Sequence, residues 1–180
     1  FAFNKKPKTL INITATIFIN NSARVNGAGL YVKTAKELLI LKSVFCNNVV
    51  KYRDFCYLKS VDPICIIDII IPSGGAIFSI MATVTTILAS YFEYNSAQRR
   101  GGGIFIMDGN ELHIMRSKLR KNSAKIGGAV YCKTMTSVVN RNCIFAQNTA
   151  ATSGGALYLN QVNSALNIGS RFEYNFAYSC

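Results

Sequence analysis

The chain has 180 residues, half of them hydrophobic, 16% charged and only three of them proline. That composition excludes a disordered tail or a flexible linker and supplies enough apolar material for one real core. Twenty Lys plus Arg against eight Asp plus Glu leave a net charge of +12, which bears on solubility and on acidic partners but not on fold.

No charged segment followed by an apolar one opens the chain at Phe1, so no signal peptide is visible. The chain ends within a repeat cycle at Cys180 and is expected to be one segment of a longer repeat array. The first unit carries Phe18-Ile19-Asn20-Asn21. The second opens with Gly27-Ala28-Gly29-Leu30-Tyr31 and reaches Phe45 and Asn48. The third opens with Gly74-Gly75-Ala76-Ile77-Phe78 and reaches Phe92 and Asn95. The fourth runs from Gly101-Gly102-Gly103-Ile104-Phe105 to Leu119 and Asn122, and the fifth from Gly127-Gly128-Ala129-Val130-Tyr131 to Phe145 and Asn148. The sixth runs from Gly154-Gly155-Ala156-Leu157-Tyr158 to Phe172 and Asn175. The starts at Gly74, Gly101, Gly127 and Gly154 are evenly spaced to within one position, whereas the step from Gly27 to Gly74 is nearly twice as long. From Gly74 onward, the Asn of each unit stands at the same distance from its first Gly, as it does from Gly27 to Asn48.

The single long interval marks an insertion at 49–73 within a segment that otherwise spans 1–180 as one domain. Its run Ile64-Cys65-Ile66-Ile67-Asp68-Ile69-Ile70-Ile71 is β-prone and is expected to return as a strand packed on the repeat body. The uncharged stretch from Pro72 to Phe92 has the length of a membrane span. It contains Gly74, Gly75, Ser79, Thr83, Thr85 and Thr86 and fits the repeat, so it is read as a repeat unit.

A 26- or 27-residue unit is too short for helical repeats and lacks the leucine-rich pattern. Its short runs alternate with period two between Gly, Asn and Ser. The expected fold is therefore all-β: a right-handed parallel β-helix of about six rungs, with three short strands per turn stacked as parallel sheets. Leu30, Ile77, Ile104, Val130 and Leu157 form an aliphatic ladder. Phe18, Phe45, Phe92, Phe145 and Phe172, with Leu119, form an inward aromatic ladder. Asn21, Asn48, Asn95, Asn122, Asn148 and Asn175 form a turn ladder whose amides bond between rungs. Tyr31, Phe78, Phe105, Tyr131 and Tyr158 are expected to face outward, either as a ligand stripe or, on the preferred reading, as a shield over the sheet edge or under a loop.

These GGA-[ILV] and F-x-x-N units resemble the repeats of chlamydial polymorphic membrane proteins, within the pectin-lyase-like β-helices, and are similar to repeats of large protist surface proteins. The resemblance covers nearly the whole chain apart from the insertion. It departs at Gly27-Ala28-Gly29, at Gly101-Gly102-Gly103 and at Leu119. It implies the passenger of an autotransporter acting in adhesion, extracellular or at the cell surface, anchored by regions outside this chain.

The residues give little support to catalysis. β-Helix enzymes that act on acidic polysaccharides need paired carboxylates or acidic Ca²⁺ sites. Here Glu37 and Glu111 share a column two rungs apart, Glu93 and Glu173 share one three rungs apart, and Asp108 and Glu111 lie within one connection. His113 is the only histidine, so no metal site or nucleophilic dyad is expected, and no cofactor. Cys132 and Cys143 fit core or turn columns. Cys46, Cys56 and Cys65 flank or lie within the insertion, where two of them could form a staple. Asn12-Ile13-Thr14 and Asn20-Asn21-Ser22 are glycosylation sequons.

Arg99, Arg100, Arg116, Lys118, Arg120, Lys121 and Lys125 cluster within one turn and its borders, with Lys5, Lys6 and Lys8 as a smaller group. The larger cluster is the candidate polyanion site, for acidic glycans or host-cell surface molecules; no specific nucleic-acid motif is present. The expected function is a non-catalytic, adhesive or structural segment of a large exported surface protein. The alternative is part of a polysaccharide lyase or hydrolase whose catalytic rungs lie elsewhere.

Overall fold

A computed structural model describes residues 9–51 and 73–179. Every element in them is a strand, and the eighteen strands repeat in threes. The first rung holds β1 (Leu10–Thr14), β2 (Ile17–Ile19) and β3 (Ser22–Ala23), and the second β4 (Leu30–Leu41), β5 (Val44–Cys46) and β6 (Val49–Val50). The third has β7 (Ile77–Leu88), β8 (Tyr91–Glu93) and β9 (Ser96–Ala97), and the fourth β10 (Ile104–Met115), β11 (Lys118–Arg120) and β12 (Ser123–Ile126). The fifth has β13 (Val130–Arg141), β14 (Ile144–Ala146) and β15 (Thr149–Ser153), and the sixth β16 (Leu157–Ile168), β17 (Arg171–Glu173) and β18 (Phe176–Ala177). Equivalent strands pair in parallel, giving three six-stranded sheets. The fold is a parallel β-helix. The stretch that resembled a membrane span supplies β7, and among the described residues no helix is long and apolar enough to cross a membrane.

Register follows the repeat spacing. Leu30 pairs with Ile77 across the one long interval, and Asn26, Ser73 and Arg100 bridge in sequence. The chain thus resumes at Ser73 in step with the rungs on either side. Residues 52–72, which include most of the expected insertion and its Ile64–Ile71 run, lie outside the described residues. The fourth unit is one position shorter than its neighbours, and a register shift between Ala124 and Ile126 in the β12–β15 pair accommodates the difference.

The expected three short strands per turn need one correction. The first strand of each complete rung has twelve residues and bends at a left-handed residue: Thr34, Met81, Asp108, Thr134 or Gln161. Every complete rung therefore has four corners, each made by one residue with φ between 47 and 67°. Gly27, Gly74, Gly101, Gly127 and Gly154 make the first. Lys42, Ala89, Arg116, Asn142 and Gly169 make the third, and Asn47, Tyr94, Lys121, Gln147 and Tyr174 the fourth. Such a conformation costs a non-glycine residue about 1–2 kcal/mol. It persists because the hydrogen-bond ladder runs through it. Lys42 N donates to Leu88 O at 2.9 Å, and Gln147 N to Glu173 O at 2.9 Å, so neighbouring rungs over-determine the bend.

Alternation along each strand sends every second side chain inside. Ile77, Ile104 and Val130 are fully enclosed, as are Ile40, Ile87 and Ile114 along the neighbouring inward column. The rung repeat of about 4.8 Å forces the interior rings face to face. Phe18 stacks on Phe45 at 4.6 Å between centroids, Phe45 on Phe92 at 4.9 Å and Phe145 on Phe172 at 4.6 Å; Leu119 fills the one aliphatic step.

The Asn column lies immediately beyond the fourth corner, and Asn48, Asn95, Asn122 and Asn148 are completely buried. Each amide is fully used. Asn122 Oδ1 accepts from both Asn95 N (3.1 Å) and Asn95 Nδ2 (2.9 Å). Asn122 Nδ2 donates to Phe92 O and to Asn148 Oδ1, both at 3.0 Å. A parallel hydroxyl column follows the third corner: Ser90 Oγ accepts from Ser43 N at 3.2 Å and donates to Leu88 O at 3.0 Å.

Replacing Asn122 by Leu orphans the Asn95 N–H and one Asn95 amide proton and removes the side-chain donor to the Phe92 carbonyl. At about 1–3 kcal/mol for each buried orphan, urea unfolding should show a loss of about 3 kcal/mol or more; an unchanged midpoint would mean the amide is dispensable. At the corners, Thr134→Gly and Gly127→Ala should move the melting temperature in opposite directions. The first relieves a β-branched residue of positive φ and gains about 1 kcal/mol. The second places a Cβ 2.6 Å from Val130 O and destabilises.

Candidate functional site

The second sheet is built from three-residue strands, so its middle residues point inward and the two flanking residues face out. Reading up the rungs, one outward column is Ile17, Val44, Tyr91, Lys118, Ile144 and Arg171, and the other is Ile19, Cys46, Glu93, Arg120, Ala146 and Glu173. Lys118, Arg120 and the corner residues Arg116 and Lys121 thus come together on one face. Arg99, Arg100 and Lys125 do not join them. Arg99 and Arg100 follow β9, beyond the Asn95 turn, and Lys125 lies within β12, beyond the Asn122 turn, so all three belong to the third sheet or its border. The seven basic residues that form one cluster in sequence are divided between two faces, because a single rung passes through every face of the solenoid.

The cations of the fourth rung rest on partners of the third. Lys118 Nζ lies 5.5 Å from the Tyr91 ring centroid and Lys121 Nζ 4.7 Å from that of Tyr94. Arg120 Nε is 3.6 Å from Glu93 Oε1. Each such half-exposed contact contributes at most about 1 kcal/mol, so together they orient the cations and leave their charge accessible. In the sixth rung Arg171 is ion-paired with Glu173. Tyr91, Tyr94, Tyr174, Gln147 and Glu173 join this face without having been singled out as site residues in the sequence; reading the outward positions as columns that recur once per unit finds them.

The second aromatic column stands opposite the aliphatic ladder, as alternation requires, but it is not an open ligand stripe. Phe78, Phe105 and Tyr131 are only 2–4% exposed. They stack at 4.7 and 5.2 Å and pack with Ile80, Met107, Ile126 and Tyr158 into a second apolar cluster. Arg100 lies over the Tyr131 ring at 5.3 Å. Only Tyr31, at the lower end, is about half exposed.

Glu37 and Glu111 both pair with Val84 and stand two rungs apart. Glu93 and Glu173 are separated by Arg120 and Ala146. Among the described residues no two carboxylates occupy one column on neighbouring rungs. His113 Nε2 lies 3.0 Å from Glu111 Oε2 at the surface. Asn12 and Asn20 of the two sequons are exposed. Burial pushes the Cys132 thiol up to about 12. The Cys143 thiol is raised as well, chiefly by burial, although backbone hydrogen bonds at Ser117 and Arg141 oppose the rise. Cys143 replaces Ser in the hydroxyl column, with Sγ 3.2 Å from Ile114 O.

A parallel β-solenoid with an interior Asn and Phe lattice and glycine corners is the class of protein these features define. The model of the Chlamydia polymorphic membrane protein repeat matches it at residues 89–106 and 142–160. Each stretch begins at or just before the third corner and continues past the interior Asn and the glycine corner into the next long strand. No curated protein and no solved structure matches the chain. The repeat and the solenoid together fit a repeat segment of a surface protein.

Because the thiolate is the reactive form and burial suppresses it, alkylation of the folded chain followed by peptide mapping should label Cys46 at least ~10-fold faster than Cys132 or Cys143. Equal rates would show that the interior opens readily.

Proposed function

We propose that the chain is a non-catalytic β-helical segment of a large exported surface protein and serves as an adhesive or structural stalk. The observation that carries this reading is the position of the two family matches: each covers the interior Asn turn and the glycine corner, the parts that stack one rung on the next. A unit of this kind extends a rigid body by about 4.8 Å per rung and leaves the outward positions free to vary. Function in repeat proteins resides on such outward surfaces. Among the described residues no two carboxylates occupy one column on neighbouring rungs, so no column offers a pair at the single strand spacing of about 5 Å that a retaining glycosidase uses, which favours the non-catalytic reading.

Beads coated with the chain should adhere to cultured cells several-fold more than beads carrying an unrelated soluble protein, and antibodies to it should label intact, unpermeabilised source cells. Labelling only after permeabilisation would overturn the surface assignment. Incubation with uronic-acid polysaccharides should release no new reducing ends; steady release would reinstate the enzyme reading.

A further inference from the structure

We propose that the outward face of the second sheet holds a binding trough for an anionic saccharide, centred on the fifth rung. The inference rests on the surface-segment reading above and names the ligand class and the site. The fifth rung presents uncharged apolar chains outward where its neighbours present long polar ones. Ile144 and Ala146 form a floor. Lys118 and Arg120 rise below it, and Glu173 and Tyr174 rise above it. These walls belong to rungs two strand spacings apart, about 10 Å. With Gln147 at one end and Tyr91 at the base of Lys118, they enclose a groove of about 270 Å³.

The chemistry of the lining selects the ligand. A sugar offers an apolar ring face and a rim of hydroxyls, and an acidic sugar adds a carboxylate or sulfate. Tyr174 is 76% exposed and presents an aromatic surface for the ring face. The Gln147 amide donates and accepts, and the Glu173 carboxylate accepts, so both serve hydroxyls. Lys118 and Arg120 serve the acidic group; Arg120 directs one of its five donors to Glu93 and retains others. The excess of positive charge is local. Lys118 and Arg120 line the trough, with Lys121 and Arg171 next to them in sequence or column, opposed by Glu93 and Glu173. Glu173 favours a saccharide over a lipid surface or a row of phosphates, because a sugar hydroxyl donates a hydrogen bond to a carboxylate set in the wall and a phosphodiester has no donor to offer it.

The probe is a heparin octasaccharide, titrated calorimetrically into the intact chain. Ala146→Phe fills the floor without changing charge, and Tyr174→Ala removes the aromatic wall. Each should weaken binding 10-fold or more, and Lys118→Gln should do so together with a shallower salt dependence. Arg99→Gln with Lys125→Gln, on the other face, should leave affinity within 2-fold of wild type. Circular dichroism of Ala146→Phe verifies its fold, and Tyr174→Ala, an exposed corner, serves if that variant is unstable. Affinity unchanged in both Ala146→Phe and Tyr174→Ala, no binding at all, or equal displacement by single-stranded DNA or phosphatidylserine vesicles would overturn the trough. A parallel adhesion assay on heparinase-treated cells separates the two levels. Adhesion that survives the enzyme while octasaccharide fails to bind keeps the adhesive reading and refutes the trough. Octasaccharide binding without adhesion to untreated cells keeps the trough and refutes the adhesive reading.

Discussion

The buried amide of one asparagine per rung is the constraint on which the rest of this structure depends. A primary amide has two donors and two acceptor positions, and here both donors and two acceptor positions are used. The oxygen accepts from the backbone and side chain of the rung before, and the nitrogen donates to the rung after and to a carbonyl of the rung before. In a fully enclosed position any missed bond carries a desolvation penalty, so the lattice holds neighbouring rungs in a single register. The stacked Phe rings that precede the Asn in every rung but the fourth follow from that register, because rings fixed to adjacent rungs have no course but to lie over one another.

Corners are the second consequence. A chain that must close each turn within one short repeat unit needs abrupt changes of direction, and single left-handed residues supply them. At the first corner glycine is used because the turning backbone leaves no room: a Cβ on Gly74 would lie 2.2 Å from Ile77 O. At the other corners Lys, Tyr, Gln, Asp, Met and Thr all occur. Their intrinsic cost is offset by backbone hydrogen bonds to the adjacent rung, and their side chains point to solvent. The scaffold therefore leaves chemical identity at those corners unspecified, which allows Arg116, Lys121 and Tyr174 to shape a surface without disturbing the core.

Structure and proposed function separate along the same line. Inward columns are alike in every rung because each sees the same surroundings, and the two matched stretches include such columns. Outward columns differ from rung to rung, and a depression arises wherever a short side chain falls between long ones. Ala146 between Arg120 and Glu173 is such a place. Binding specificity on a solenoid of this kind is thus a matter of local relief superimposed on a uniform body.

The spacing of Gly, Phe and Asn by itself determined the all-β parallel solenoid, the register of its rungs and the inward positions, since each of these is a periodic property that a single chain displays. It set the insertion at 49–73, but Val49 and Val50 form β6 and Ser73 bridges Asn26 and Arg100, so the ends of the interruption are fixed by pairing between rungs. The bend at Thr34, Met81, Asp108, Thr134 and Gln161 left no mark, because no single residue type marks that position; the neighbouring rungs impose it. The outward aromatic column was legible as a shield in preference to a ligand stripe, but its packing partners were not. Alternation places Phe105 and Tyr131 opposite the aliphatic ladder, yet only packing against Ile80, Met107 and Ile126 makes them a second buried cluster, while Tyr174, also outward, stays in solvent. Only the tertiary structure divided the basic residues between two faces and set Lys118 and Arg120 beside Tyr174 and Glu173. Those neighbours belong to the fourth and sixth units of the chain, and the stacking of rungs, not local sequence, decides which side chains share a surface.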